Sequence, residues 1–225
     1  MATRVGVVVF PGSNCEHDAV SGIEAAGGAA ELLWHGDPDL RGVDVVVLPG
    51  GFAHGDYLRP GALARFSPAM VAVADFAKRG GVVLGICNGF QILTEAGLLP
   101  GALQKNAHLT FTCATVAVEV VSNRSALTTQ VEVGSVLQLP INHFSGSYVC
   151  DPDTRAQLEA NDQVVLRYVE DVNGSLDRIA GICNVEGNVV GLMPHPERAT
   201  AALLGSADGL VLLRALLSGA TQLAR

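Results

Sequence analysis

Three side chains in this sequence have types and settings suited to covalent catalysis. Cys87 lies in Gly85-Ile86-Cys87-Asn88-Gly89, with a glycine two residues away on each side. An apolar run, Val82-Val83-Leu84, precedes it and an amphipathic segment, Phe90 to Ala96, follows. A nucleophile between two glycines, at a strand-to-helix turn, is the pattern of a nucleophile elbow. The turn is too tight for side chains at its flanks, and the helix behind it points its positive end at the sulfur, which lowers the pKa of a thiol placed there. Such a thiol needs a proton acceptor and a group that orients the acceptor. Among six histidines, His195 stands out in Met193-Pro194-His195-Pro196-Glu197-Arg198. In extended chain, residues two apart point the same way, so Glu197 can fix the tautomer of His195 and stabilise its charged form. The alternative for Cys87 is a buried cysteine between glycines, and for His195 a surface pair at a strand end. Gly181-Ile182-Cys183-Asn184 repeats the start of the elbow, but Val185 replaces the second glycine and a hairpin signal follows, so Cys183 reads as a strand cysteine. Cys15, near the start of the first helix, is the other candidate nucleophile.

The elements that must position these groups follow from periodicity and breakers. Val5 to Phe10 reads as a strand, Pro11 to Asn14 as a turn ending in a helix cap, and the next helix runs to about Ala26 before Gly27-Gly28. Ala30 to Trp34 and Val43 to Leu48 are strands, and Ser67 to Arg79 is a helix with a Ser-Pro start. The chain thus begins β, α, β with strands suited to a parallel sheet. Between them lies a long loop from Gly50-Gly51-Phe52 to Gly61. In open α/β sheets such loops at the strands' carboxyl ends form the ligand crevice. Beyond Gly101 the pattern alternates: Phe111 to Val121, Val136 to Ile141 and Val164 to Val169 are strands, with a short helix at Asp153 to Ala160. Ile179 to Asn184 and Asn188 to Met193 form a hairpin, and a helix from about Asp208 to Leu217 closes the chain. The reading is α/β: an open, mostly parallel central sheet with flanking helices plus a small antiparallel elaboration. Residues 1–225 form one domain.

Composition removes several function classes. The chain is 49% hydrophobic and 16% charged, with a formal net charge of -8. No basic stripe suggests nucleic acid, and no run of apolar residues reaches the length of a membrane span. Neither GxxxxGK[ST] nor GxGxxG occurs, so no nucleotide fingerprint is present. Five cysteines without CxxC spacing give no zinc motif and suit a reducing cytoplasm. No metal is expected in this chain.

Gly85-Ile86-Cys87-Asn88-Gly89-Phe90-Gln91, with Pro194-His195-Pro196-Glu197, resembles the class I (triad type) glutamine amidotransferases, which have a flavodoxin-like fold. Phe10 to Cys15, the loop from Gly50 to Arg59 and the Met193 to Arg198 segment are similar to the branch that serves phosphoribosylformylglycinamidine synthase. The resemblance implies that Cys87 attacks the amide of glutamine, His195 transfers protons and Glu197 orients it. It further implies that backbone N–H groups around Gly51 and Phe52 and of Asn88 hold the oxyanion, and that Gln91 and His143 contact substrate. It implies no cofactor in this chain. ATP and Mg would serve a large synthetase subunit, with a small accessory subunit completing the complex. Members commonly carry His-Gly-Glu-Gly where this sequence has His143-Phe144-Ser145-Gly146, so a carboxylate role there is lost. A stand-alone cysteine hydrolase would need an acidic residue beside the thiol, with Glu16 and Glu24 the early candidates. A non-catalytic subunit on the same scaffold, or a glutaminase serving another synthetase, are the remaining alternatives.

Overall fold

The computed structural model describes residues 2–223. In chain order the elements are β1 (Arg4–Val9), α1 (Glu16–Ala26), β2 (Ala29–Trp34), β3 (Val45–Leu48), α2 (Pro68–Lys78), β4 (Val82–Ile86) and α3 (Asn88–Glu95). Then come β5 (Ala102–Gln104), β6 (Thr112–Val120), β7 (Val136–His143), β8 (Ser147–Val149), α4 (Pro152–Ala160), β9 (Val164–Tyr168), β10 (Ile179–Cys183), β11 (Val189–Leu192) and α5 (Gly209–Leu223). Nine strands form one sheet in the order β2-β1-β3-β4-β11-β10-β9-β6-β7. The first five run parallel, and the remaining pairings are antiparallel. The parallel part has the flavodoxin strand order, whose ligand crevice opens at the carboxyl ends of the strands. A separate antiparallel pair, β5 with β8, completes the elaboration.

The parallel strands are apolar throughout because helices cover both faces. Every residue of β3, β4 and β11 is buried. Close packing extends to the glycines. A Cβ on Gly191 of β11 would lie 2.1 Å from the Phe90 ring of α3. β4 and β11 are adjacent and in register, from Val83 opposite Val189 to Ile86 opposite Leu192. They therefore deliver Cys87 and the Met193–Arg198 segment to the same edge of the sheet.

The expected hairpin is present, with Gly181 paired to Leu192. One helix cap differs from expectation, and a second is in place without its side-chain bond. The first helix is capped at Cys15 without a side-chain bond. The Asn14 and Cys15 N–H groups both donate to Gly50 O (3.2 Å each), tying the turn to the loop after β3. Ser67 does precede α2, but its Oγ donates to Ala64 O at 2.6 Å instead of accepting from the helix. β5 and β8, three residues each, are silent in the sequence because no periodicity develops over that length.

Candidate active site

Cys87 occupies the N-cap of α3 with φ 51° and ψ -103°, a conformation that costs a non-glycine residue energy and is held by its surroundings. The two flanking glycines are steric necessities. A Cβ on Gly85 would sit 2.6 Å from Gly89 O, and one on Gly89 would sit 2.0 Å from Leu48 O. β3, β4 and α3 meet too closely for any side chain there.

His195 follows β11, and its N–H donates to Pro140 O of β7 at 2.8 Å. Its Nδ1 is 2.7 Å from Glu197 Oε1, and both side chains are almost wholly buried. α1 and α5 wedge this segment in place. A Cβ on Gly22 would lie 3.1 Å from Glu197 Cα, and one on Gly209 would lie 1.9 Å from Pro196 O. Burial opposes a charge on His195, but the Glu197 carboxylate and then the Cys87 sulfur outweigh it, holding the ring's pKa well above its ordinary value.

Cys87 and His195 line a cavity of about 180 Å³ with Asn14, Cys15, Gly51, Phe52, Asp56, Gln91, Asn142, His143, Phe144, Ser145 and Arg198, while Glu197 lies behind the imidazole. Pockets for drug-sized ligands run to about 300–1,000 Å³, so this one suits an amino-acid-sized molecule. Its lining includes neither Glu16 nor Glu24.

The expected oxyanion donors divide. Ser13 and Gly51 form an isolated antiparallel bridge, flanked by bonds from Asn14 N to Gly50 O and from Phe52 N to Gly12 O (2.8 Å). In that pattern the N–H of Gly51 points away from the pairing. The Phe52 N–H donates to Gly12 O, and the residue lines the cavity. Asn88 opens α3, where backbone N–H groups have no partner inside the helix.

The Asn88 and Gln91 side chains act first as latches. Asn88 Oδ1 accepts from Ala53 N (3.0 Å) and its Nδ2 donates to Gln91 Oε1 (2.8 Å). Gln91 Nε2 donates to Ser145 O at 2.6 Å. The loops after β3 and β7 are thereby fastened to α3, and Gln91 lines the cavity.

His143 is buried at the end of β7. Its Nδ1 is 3.0 Å from Asn106 Oδ1. Asn106 Nδ2 donates to the carbonyls of Thr110 and His143 (3.0 Å each), which fixes the amide's orientation and makes Oδ1 the acceptor. His143 Nδ1 therefore carries the proton, and Nε2 is an acceptor without a protein partner. Burial, then the nearby charge of His195, push its pKa down to about 4.

Three residues at the site carry no signal that the sequence alone reveals. Asp56 follows two positive-φ residues, His54 and Gly55, and burial raises its carboxyl to about 6 against a weak contact from Asn88. Asn106 holds His143 from a loop with no motif. Arg198, which the sequence marks only as the end of a motif, bonds Asp18 (2.9 Å) and donates to Cys15 Sγ (3.2 Å). By contrast Cys183 lies wholly buried in β10, where burial pushes its thiol up to about 11.

Residues 2–207 match the family model of the CobB/CobQ-like glutamine amidotransferase domain. The chain is 56% identical over 217 residues to a phosphoribosylformylglycinamidine synthase subunit PurQ from Rubrobacter xylanophilus, covering 96% of this chain and 99% of that one. It is 50% identical over 223 residues to the protein of that name from Moorella thermoacetica, covering 95% and 94%. Among solved structures, a chain of PurLQS from Thermotoga maritima superposes with a TM-score of 0.90 at 45% identity, covering 97% of this chain and 99% of that one. A putative GMP synthase protein from Thermoplasma acidophilum shares the fold, with a TM-score of 0.67 at 16% identity over 99% and 96% of the chains.

Proposed function

This chain belongs to the CobB/CobQ-like glutamine amidotransferases, and from that premise we propose that it is the glutaminase subunit of phosphoribosylformylglycinamidine synthase, acting in purine biosynthesis. It hydrolyses glutamine to glutamate and passes the ammonia to a large synthetase subunit, which with a small accessory subunit carries out the ATP-dependent amidation of formylglycinamide ribonucleotide. ATP and Mg belong to that partner, and this chain needs no cofactor. Residues 1–225 work as one glutaminase domain in the cytoplasm, a reading supported by five unbridged cysteines. No helix among the described residues is long and apolar enough to cross a membrane.

The observation that carries the assignment is the buried His195–Glu197 pair at 2.7 Å, delivered beside a strained elbow cysteine by two adjacent strands. Cys87, its thiol proton already passed to His195, attacks the carboxamide carbon of glutamine as the thiolate. The oxyanion of the tetrahedral intermediate accepts from the backbone N–H groups of Gly51 and Asn88; each such donor is typically worth about 3 kcal/mol of barrier. His195 returns the proton to the departing nitrogen, leaving a γ-glutamyl thioester and ammonia. It then takes a proton from water as the water oxygen attacks the thioester carbon; the C–S bond breaks, glutamate leaves, and the Cys87 thiolate is restored beside the protonated His195. Glu197 keeps the ring oriented and balances its charge throughout. His143, neutral and with Nε2 as an acceptor, offers a hydrogen bond to the substrate's carboxamide N–H.

Ammonia near neutral pH is mostly protonated and not nucleophilic, so it must travel by a closed route. In the reconstituted complex, Cys87→Ala abolishes glutamine-dependent synthesis and retains ammonia-dependent synthesis. Loss of both activities makes Cys87 structural and refutes the assignment. The isolated chain is expected to hydrolyse glutamine slowly, with a strong increase in the complex. A full rate without partners would contradict coupling between the subunits.

A further inference from the structure

Cys15 takes no part in the reaction above, yet its contacts bear on residues that do. It is the N-cap of α1 and is 3% exposed. Its N–H donates to Gly50 O at 3.2 Å, as does that of Asn14. Gly51 comes next in the chain, and its N–H is one of the two oxyanion donors named above. The turn before α1 and the loop after β3 are packed to contact from both sides. A Cβ on Gly12 would lie 2.3 Å from Phe52 O, and one on Gly51 would lie 2.7 Å from Ser13 Cα. The oxyanion loop therefore cannot shift without the turn that carries Cys15.

The side chain of Cys15 faces the other half of the site. A Cβ on Gly50 would meet Cys15 Sγ at 3.0 Å and His195 Cε1 at 2.8 Å, so sulfur and imidazole flank one gap that glycine leaves open. The sulfur lies within 4.8 Å of a ring nitrogen of His195. Arg198 Nη2 donates to that sulfur at 3.2 Å, and Arg198 Nε donates to Asp18 of α1 at 2.9 Å. Arg198 sits three residues after His195, so these bonds fasten α1 to the segment that carries the base. The ring is met by titratable groups from four directions: Glu197 on its own segment, Cys87 at the elbow, Cys15 at the start of α1 and His143 at the end of β7. Burial works against a charge on the ring, while Glu197, then Cys87 and then Cys15 favour it.

We propose that Cys15 is a positioning residue that joins the two halves of the site: its N–H sets the oxyanion loop through Gly50, and its sulfur, held by Arg198, keeps the His195 ring in line with Cys87. Cys15 makes and breaks no bond in the reaction; it acts through Gly50 and His195. The proposal rests on the catalytic role given to His195. Its two ties reach residues far along the chain, so no local motif announces them.

The test compares Cys15→Ala and Cys15→Ser with the natural chain in the reconstituted complex, with glutamine and with ammonia as nitrogen source. Alanine removes the sulfur and keeps the N–H bonded to Gly50, so it isolates the side chain. The kcat for glutamine should fall by about 10–100-fold, with KM nearly unchanged, as for a contact needed only in the transition state. The ring also loses a group that favours its charge. The alkaline limb of the kcat/KM profile, where His195 gives up its proton, should therefore move to lower pH. Serine keeps an acceptor for Arg198 but not the sulfur, so its rate and its limb should fall between those of alanine and the natural chain. Ammonia-dependent synthesis should be the same in all three. A raised KM at the natural kcat would make Cys15 a substrate contact, and an unmoved limb with the natural kcat would make it a packing residue; either result overturns the proposal. Should the alanine variant fail to assemble, a serine limb superimposed on the natural one overturns it equally. The natural complex is the control. No glutamine-dependent synthesis there refutes the glutaminase assignment, whereas a working natural complex beside an unaffected Cys15→Ala refutes only the role of Cys15.

Discussion

At the scale of single residues, the decisive pair is His195 with Glu197. Glu197→Gln preserves the hydrogen bond but removes the charge that offsets burial of the ring. Turnover should fall by about 10²–10⁴-fold, and Cys87 should alkylate more slowly with iodoacetamide at neutral pH. Unchanged turnover and alkylation would remove Glu197 from the mechanism. Asp56 makes a different prediction. Its folded pKa, about 6, is raised from 3.8, so the folded state holds its proton longer than the unfolded state. Stability from this group is present below pH 3.8 and is lost as pH rises to about 6. The nominal cost approaches about 3 kcal/mol, but Asp56 is only half-buried, and solvent screening reduces it to about 1 kcal/mol. Asp56→Asn should therefore gain about 1 kcal/mol near pH 7 and nothing near pH 3, in urea melts at both values. A weaker affinity for glutamine in the same variant would mean that the protein tolerates this charge for binding.

At the scale of elements, the elbow depends on three backbones meeting. Gly89→Ala would push a methyl into Leu48 O and should cost about 3 kcal/mol or more. Gly27→Ala meets nothing within 4 Å and strains only its φ of 100°, so about 1 kcal/mol is expected. Chemical denaturation of both variants checks the contrast. The same comparison explains what could be read in advance. The elbow, the His195–Glu197 pair and the hairpin of β10 and β11 are local patterns, each written within a few consecutive residues. Cys183 could be set aside for the same reason. Asn106 holding His143, and Arg198 reaching Cys15 and Asp18, join residues far apart in the chain. No periodicity or motif encodes those meetings. The cap of α1 falls at Cys15 and not at Asn14, whose N–H is tied to Gly50 O, while Ser67 caps α2 by position but turns its Oγ back to Ala64 O, three residues earlier.

At the scale of the whole molecule, the site draws on both ends of the chain. β11 lies between β4 and β10, so the antiparallel half must be in place before His195 can face Cys87. Unfolding should therefore be one transition. Far-ultraviolet circular dichroism, fluorescence of Trp34 on β2 and alkylation of Cys87 should share a single urea midpoint. Separate midpoints would mean that the parallel half stands alone.

The register of β4 against β11 has a consequence for anyone who would re-engineer this chain. The spacing of nucleophile and base is set by the hydrogen-bond ladder between two neighbouring strands, about 4.8 Å apart, and not by the length of chain that separates them. Turns in the antiparallel half can be lengthened or exchanged while that ladder stands. Deleting one residue within Val83 to Ile86 would turn the strand's faces over and separate the two groups, however faithfully every other residue was kept.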